Sequence, residues 1–227
     1  MEILTQIPFT LDTESLSTKY RIESGSGNAL QFKDLLENAH QLANPKAVYK
    51  ESFIYSKEQD SVSVDGVTFK SRALRANVDQ VEKVFPYVVT CGRELDQIQV
   101  RSSDLFKRFL LDEIKAAILE SCQAYLNDYL DSRYGLIKTA SMHPGSGDVD
   151  VWPIQQQSEL FTLLGDVYDA IGVELTESFL MIPTKSVSGI RFATQKDFES
   201  CMLCHREVCT ERSAPFDQIL WDTLNAV

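Results

Sequence analysis

The sequence lacks the features that mark exported or membrane-spanning proteins. None of its 227 residues fall in an uninterrupted apolar run of the roughly 18 residues that a membrane-spanning helix needs. The opening residues have neither a basic start nor an apolar stretch typical of a signal peptide. We therefore expect no membrane association and no secretion, and we predict a cytoplasmic location.

Positive charge is also scarce. The chain carries 22 Lys and Arg against 33 Asp and Glu, a net charge of -11, which repels phosphate backbones and argues against nucleic acid as a partner. No phosphate-binding loop, Gly-x-Gly-x-x-Gly run or Ser-His-Asp pattern is recognisable in the sequence. These absences remove the commonest enzyme classes that a short motif could identify.

Hydrophobic residues make up 44% of the chain, enough for a sizeable core. Apolar spacing predicts helices over residues 32–42, 77–85, 103–133 and around 160–164, and Asp65-Gly66 predicts a tight hairpin. The 77–85 helix is expected to lead into a buried strand over 87–91. The long helix has its apolar stripe at Phe106, Leu110, Ile114, Ile118, Cys122, Tyr125 and Tyr129.

The last quarter of the chain is expected to begin with two strands. Residues 173–192 predict these strands, hinged at Pro183, and a final amphipathic helix would turn Phe216, Ile219, Leu220 and Leu224 inward. Helices and strands do not alternate regularly, so the pattern favours an α+β fold around an antiparallel sheet. We expect one domain over residues 1–227, in which 195–227 form a cysteine-bearing tail.

Three of the five cysteines lie close together in that tail. Cys201, Cys204 and Cys209 follow a C-x2-C-x4-C spacing, and thiolates at such spacing favour zinc or an iron-sulfur cluster. A fourth ligand could come from His205, Cys91, Cys122 or an external thiol. The alternative is a set of reduced thiols without a metal, since cysteine often serves as a small buried hydrophobe.

Two stretches resemble a known family. A long helix, a Pro-Gly loop, a helix and a Leu-Thr-Glu-Ser … Pro … Ser-Val-Ser-Gly run follow one another as in the activation domain of cobalamin-dependent methionine synthase. The resemblance covers about residues 100–192, and residues 1–100 resemble the family only in general character. The matching residues of the last run are Leu175, Thr176, Glu177, Ser178, Pro183, Ser186, Val187, Ser188 and Gly189.

The resemblance implies a C-shaped α+β domain with a twisted antiparallel sheet and flanking helices. It also implies binding of S-adenosylmethionine in a shallow groove that caps the cobalamin of a partner. In that family, one electron and the methyl group of S-adenosylmethionine return oxidised cobalamin to methylcobalamin. The cofactor would supply the chemistry and the protein would orient it.

Several residues of this sequence align with the family's binding site. Glu120 aligns with an acid that meets the ligand's amino group, and His143, Pro144 and Gly145 form the Pro-Gly loop. Ser186 and Ser188 would place hydroxyls on one face of a strand, where they could contact a polar ligand.

The Pro-Gly loop also departs from the family pattern. The family's loop reads Arg-x-x-Pro-Gly-Tyr, whereas this chain has Ser141 and Ser146 at the Arg and Tyr positions. A serine cannot make the paired, charged contact of an arginine, so we expect a weakened or altered S-adenosylmethionine site.

The resemblance favours an accessory subunit that reactivates a corrinoid-carrying methyltransferase, methionine synthase above all, in trans. The chain has no Asp-x-His-x-x-Gly cobalamin-binding motif, so the cobalamin would belong to a partner. Two alternatives stay open. One is a binding module for a corrinoid protein that has lost S-adenosylmethionine, and the other is an electron-transfer or sensor protein built around the tail cysteines.

Overall fold

A computed structural model describes residues 1–148, 151–210 and 212–225. The helices in this part of the chain are α1 (Thr13–Lys19), α2 (Gly27–Leu42), α3 (Arg72–Asn77), α4 (Leu105–Tyr134), α5 (Gln157–Leu164), α6 (Val167–Ile171) and α7 (Gln218–Asn225). The strands are β1 (Glu2–Leu4), β2 (Lys46–Tyr49), β3 (Ser52–Lys57), β4 (Ser61–Val64), β5 (Val67–Lys70), β6 (Lys83–Thr90), β7 (Thr139–Met142), β8 (Glu174–Leu175), β9 (Met181–Ile182) and β10 (Ser186–Ala193). Short 3-10 helices span Arg93–Gln97, Ile154–Gln156 and Ser200–Leu203.

Strand β6 organises the main sheet. It pairs antiparallel with β10 along its whole length, from Ser186 opposite Thr90 to Phe192 opposite Val84. Strands β2 and β3 pair with its other edge, and β7 adds to the outer edge of β10. Each of these pairings is antiparallel, and the helices pack on the sheet without βαβ crossovers, so the predicted α+β fold class is confirmed.

The two faces of the sheet carry separate cores. Side chains alternate along a strand, so Phe85, Tyr87 and Val89 of β6 pack with α2 and α4. Val84 and Val88 point to the opposite face and pack with α3, α5 and α6. None of the helices in the described ranges combines the length and the apolarity required to cross a lipid bilayer.

Helix α4 confirms the predicted long helix. Asp104 caps its first turn by accepting from the Lys107 N–H at 3.0 Å, and Gly135 ends it in the left-handed conformation with φ 65°. The predicted apolar stripe was wrong at two places, because Phe106 and Tyr125 are 38% and 37% exposed. The buried stripe is Leu110, Leu111, Ile114, Ile118, Cys122, Leu126 and Leu130.

The predicted helix over 77–85 was also wrong. The helix there is α3, which ends at Asn77 and begins at a Ser71 cap that accepts from Leu74 N–H at 3.0 Å. Val84 and Phe85 belong to β6, where they face opposite cores. Pairing of β6 on both edges outweighs the local helical spacing. The predicted hairpin is confirmed, with Asp65 and Gly66 at φ 46° and 86° between β4 and β5.

The C-terminal elements agree in part with the prediction. Strand β10 is continuous, but the segment before it forms only the short β8–β9 pair around a turn that Thr176 and Phe179 close with a 2.9 Å hydrogen bond. In α7, Leu220 and Leu224 pack on the core as predicted. Ile219 was predicted to point inward, yet it is 80% exposed, because Trp221 takes the inward position beside Leu220.

An ion pair joins α4 to the edge of the sheet. The Arg191 guanidinium donates to both carboxylate oxygens of Asp131, at 3.0 and 2.6 Å. The Arg191 side chain is only 9% exposed, and its remaining contacts reach Thr139 and Ser141 on β7. The pair therefore fixes α4, β7 and β10 relative to one another.

Replacing one partner of this pair should destabilise the fold. Arg191→Met leaves the Asp131 carboxylate without its cation, and we expect a loss of about 2–4 kcal/mol in the free energy of unfolding, measured by denaturant titration. Lys33→Met breaks an ion pair with Glu37 in which both side chains are largely exposed, and should change stability by less than about 0.5 kcal/mol. The double variant Arg191→Met, Asp131→Leu should recover much of the loss. No recovery would mean that the arginine acts through packing alone.

Candidate functional site: the α4–β7 site

A polar stripe runs along the sheet-facing side of α4. Glu120, Gln123, Asn127 and Asp131 are spaced three or four residues apart and so share one side of the helix. The Gln123 amide donates to the Tyr87 hydroxyl at 3.4 Å, and Asp131 binds Arg191. These contacts direct the stripe toward β6, β7 and β10. Gln123 and Asn127 are half-buried, whereas Glu120 is exposed.

Two further polar groups line the strands opposite this stripe. Arg191 Nη1 lies 3.4 Å from the Ser141 hydroxyl on β7, and Ser141 lies near the Tyr87 hydroxyl, whose pKa it lowers against the larger effect of burial. Burial raises the pKa of Tyr87 to about 12, so its phenol stays protonated at neutral pH. Strand β7 is an edge strand among the described residues, paired only with β10. We call the residues Tyr87, Glu120, Gln123, Asn127, Ser141 and His143 the α4–β7 site.

His143 follows β7 and lies over Gly189. A Cβ at Gly189 would approach the His143 Nδ1 atom and the Met142 carbonyl oxygen to 2.7 Å. Only glycine therefore lets the imidazole pack on β10, which gives a physical reason for the last residue of the Ser-Val-Ser-Gly run. The His143 ring meets the Tyr87 ring edge-on, with the centroids 6.2 Å apart.

The environment of His143 also fixes its protonation. Its Nδ1 atom lies 2.8 Å from the Ser188 carbonyl oxygen, and because a carbonyl only accepts, Nδ1 must carry the proton. Burial lowers the pKa of His143, although the hydrogen bond to Ser188 opposes this shift. The neutral ring then has its lone pair on Nε2, which makes His143 a hydrogen-bond acceptor at the edge of the site.

Pro144 and Gly145 form the tight turn predicted from the sequence. Gly145 has φ 84°, and its N–H donates to the Trp152 carbonyl at 2.7 Å while Ser146 N–H returns to the His143 carbonyl at 3.1 Å. A Cβ at Gly145 would press against Ile154 at 3.1 Å. The turn follows His143 directly, and Gly145 is exposed to solvent.

Asn127 contributes an acceptor that lacks a protein partner. Its Oδ1 atom is buried and makes no hydrogen bond within the described part of the chain. An unsatisfied buried acceptor is costly unless something donates to it. Asn127 lies between Glu120 and Asp131 on the stripe, two helical turns from the exposed Glu120 carboxylate.

Ser186 and Ser188 lie on the other face of the sheet from α4. The Ser188 hydroxyl is buried and donates to Gln157 Oε1 on α5 at 2.6 Å. The Ser186 hydroxyl donates to the Pro183 carbonyl at 2.8 Å and lies 3.0 Å from the Thr90 hydroxyl. The two serines share a face, as expected, and their hydroxyls lie on the opposite face of the sheet from Glu120, although the Ser188 carbonyl contacts His143. Both hydroxyls are occupied by protein partners.

The tail cysteines are not arranged as a metal site. The described residues contain no group of three or more His, Cys, Asp and Glu side chains that could hold a metal ion. Cys201, Cys204 and Cys209 are each half-buried, and hydrogen bonds from Ser213 lower the pKa of Cys201. The predicted zinc or iron-sulfur site thus has no support in this geometry.

The fourth ligands proposed from the sequence do not complete such a site either. Cys91 and Cys122 are buried in the core beneath α4, and burial raises the pKa of each thiol to about 12. His205 uses its Nδ1 atom to bind the Asp148 carboxylate.

Sequence reasoning identified part of the α4–β7 site. It identified Glu120 and the Pro-Gly loop with His143, and it placed Ser141 at the family's Arg position, but it missed Tyr87, Gln123 and Asn127 and also Arg191 beside the site. One signal was available for the helix, because the polar positions 120, 123, 127 and 131 recur at helical spacing. Tyr87 and Arg191 join the site through strand pairing, which no local pattern indicates.

Comparisons with known proteins agree with the fold. Residues 117–204 match the family described as vitamin B12 dependent methionine synthase, activation domain. The fold is similar to a structure titled "Crystal Structure of the MetH Reactivation Domain bound to AdoHcy". The TM-score is 0.58 at 15% identity, covering 88% of this chain and 81% of that one. No curated protein sequence is similar enough to match. The resemblance expected from the sequence is confirmed.

Lowering the pH should lower the free energy of unfolding, because His143 becomes protonated. Because the folded pKa is lowered, the stabilisation is present above the unfolded pKa, about 6.5, and is lost as the pH falls from there through the folded value. His143→Gln keeps an N–H for the Ser188 carbonyl but cannot titrate. We expect the free energy of unfolding of the wild type to fall more steeply below pH 6.5 than that of the variant, by at most about 1.4 kcal/mol per pH unit. Parallel curves would show that His143 charges freely in the folded protein.

Proposed function

We propose that this protein helps to reactivate a corrinoid-dependent methyltransferase, with methionine synthase as the first candidate, by presenting S-adenosylmethionine to the cobalamin of that partner. One observation carries the proposal. The range that matches the activation-domain family, 117–204, supplies the polar stripe of α4, the edge strand β7, the Pro-Gly turn and Gly189 of β10. It therefore supplies every residue of the α4–β7 site except Tyr87.

The α4–β7 site suits the amino group of S-adenosylmethionine. A carboxylate and an amide oxygen that lacks a protein donor, from Glu120 and Asn127, are suitable acceptors for an ammonium. His143 Nε2 adds an acceptor near the exposed turn at Gly145.

The same site is less suited to the ligand's carboxylate. Ser141 stands where the family has an arginine, and the guanidinium beside it, Arg191, already binds both oxygens of Asp131. A charged hydrogen bond contributes about 1.5–3 kcal/mol, so its absence weakens binding by roughly 10- to 150-fold. We infer that S-adenosylmethionine binds this protein weakly and that contact with the partner contributes to holding it.

The chemistry belongs to the partner's corrinoid. One electron and the methyl group of S-adenosylmethionine convert cob(II)alamin to methylcobalamin and release S-adenosylhomocysteine. The role of this chain is to orient the sulfonium methyl toward the corrin and to shield the reacting atoms from water. It needs no nucleophile or general base of its own for this step.

A second candidate is a corrinoid-protein binding module that does not use S-adenosylmethionine. The specific observation in its favour is the pairing of Arg191 with Asp131 next to Ser141, which leaves no guanidinium of this site unengaged. Such a protein would bind its partner through the same face and would shield the corrinoid without supplying a methyl group.

Ligand titration distinguishes the two candidates. We expect S-adenosylhomocysteine to bind the wild-type protein and Asn127→Leu to weaken binding about 10-fold, since one charge-assisted hydrogen bond is lost. The same substitution removes a buried acceptor without a partner, so the free energy of unfolding should hold or rise. Asp128→Asn, on an exposed part of the same helix, serves as the control and should leave affinity unchanged. Calorimetry that detects no heat with the wild type, both alone and together with the cobalamin-carrying partner, would favour the second candidate.

A reconstituted assay tests the activity itself. A cobalamin-carrying methionine synthase fragment in the cob(II)alamin state is mixed with a reductant and S-adenosylmethionine, with and without this protein. Methylcobalamin formation, followed by its absorbance, should require the protein, and Glu120→Gln should slow it because the ligand's ammonium loses its counter-charge. Equal rates with and without the protein would reject the proposal.

A further inference from the structure

The tail brings two of its three cysteines together. Cys201 and Cys204 are the first and last residues of a turn at the C-terminal end of the 3-10 helix Ser200–Leu203. The Cys204 N–H donates to the Cys201 carbonyl at 3.2 Å and closes this turn. Such a turn holds its end residues within roughly 7 Å between α carbons, and a disulfide spans about 4.4–6.8 Å between them. We propose that Cys201 and Cys204 are a redox-active dithiol that closes to an intramolecular disulfide by exchange with a low-molecular-weight disulfide such as oxidised glutathione.

Accessibility separates this pair from the other cysteines. Cys201 and Cys204 are both partly exposed, whereas Cys91 and Cys122 are buried in the core beneath α4. Cys209 is partly exposed as well, but among the described residues it does not join the other two in a group of three possible ligands. The structure thus favours a reaction of two thiols over a site that needs all three.

Arg212 holds the backbone of the pair in place. Its guanidinium donates to the carbonyl oxygens of Cys201 and Cys204, each at 3.2 Å. The Ser213 N–H points at Cys201 Sγ from 3.5 Å. The fixed backbone keeps the two thiols one turn apart, so closing the ring costs less conformational entropy than joining either thiol to a distant cysteine. An N–H that points at a sulfur favours its thiolate form, which is the nucleophile. We therefore expect the Cys201 sulfur to react first.

The exchange takes place in two steps. The Cys201 sulfur attacks one sulfur of the small disulfide, which forms a mixed disulfide and releases one small thiol. The Cys204 sulfur then attacks Cys201 Sγ, which forms the protein disulfide and releases the second small thiol. The protein loses two electrons and two protons, and the small disulfide gains both. No metal or further oxidant is required.

Formation of the Cys201–Cys204 disulfide changes the hydrogen bonding of the turn. In the dithiol form, Cys201 Sγ accepts from Ser213 N–H, and the Met202 carbonyl accepts from Asp217 N–H at 2.9 Å just before α7. In the disulfide form, the sulfur is a poorer acceptor and is drawn toward Cys204. We expect the Ser213 amide to exchange its hydrogen with solvent more rapidly after oxidation. This inference does not depend on the proposed function.

Peptide mapping tests the proposal directly. Trypsin releases residues 197–206, DFESCMLCHR, with both Cys201 and Cys204, and residues 207–212, EVCTER, with Cys209. The full chain is equilibrated in mixtures of reduced and oxidised glutathione, and remaining thiols are blocked before digestion. We expect the 197–206 peptide to lose two hydrogens and to carry no blocking group, while the 207–212 peptide does not become linked to it.

Serine variants give the matched controls. Cys209→Ser should close the disulfide as the wild type does, and Cys201→Ser and Cys204→Ser should each stop at a mixed disulfide with glutathione. The three side chains are partly exposed, so we expect the variants to fold. Circular dichroism checks this. A 197–206 peptide cross-linked to 207–212, or persistent mixed disulfides on both cysteines of the wild type, would overturn the proposal.

Discussion

The structure depends on the pairing of β6 along both of its edges. This strand has β10 on one side and β2 and β3 on the other, so its side chains must alternate between two separate cores. Every element that forms the α4–β7 site is positioned relative to it. Tyr87 points from β6 toward α4, β10 lies next to it, and β7 follows at the edge. The local helical pattern around Val84 and Phe85 yields to this constraint.

The polar α4–β7 site exists because an amphipathic helix meets the edge of a sheet. Helix α4 buries an apolar stripe that continues to Leu126 and Leu130, and the polar side chains Gln123, Asn127 and Asp131 lie beside it. Asp131 and Arg191 close one end of this interface as an ion pair, and the Pro-Gly turn closes the other. Between them, Asn127 keeps an acceptor without a protein partner. An N–H donor from outside the protein would satisfy that acceptor.

The sequence predicted the elements whose determinants are local. The long helix has a cap at Asp104 and a glycine at its end, and the hairpin at Asp65-Gly66 needs positive φ, so both could be recognised from neighbouring residues. The fold class followed from the order of these elements. Errors arose where a distant partner decides the outcome, as at residues 77–85, where strand pairing outweighs helical spacing, and at Ile219, where Trp221 competes for the core.

The site was predicted less completely for the same reason. Glu120 and the Pro-Gly turn were identified by family resemblance. Whether Ser186 and Ser188 face the same side as Glu120 depends on which sheet face α4 covers, and that is not encoded near either serine. The three cysteines matched a metal-binding spacing, yet spacing along the chain does not fix how thiols converge in space.

Residue 188 connects the two faces of the molecule. Its carbonyl accepts from His143 on the α4 side, and its hydroxyl donates to Gln157 on the α5 side. A ligand that pushes the imidazole must therefore either break the first bond or shift the backbone that carries the second. Where the bond to His143 holds, a displacement of the imidazole moves the peptide unit of Ser188, and with it the hydroxyl contact to Gln157 on the opposite surface.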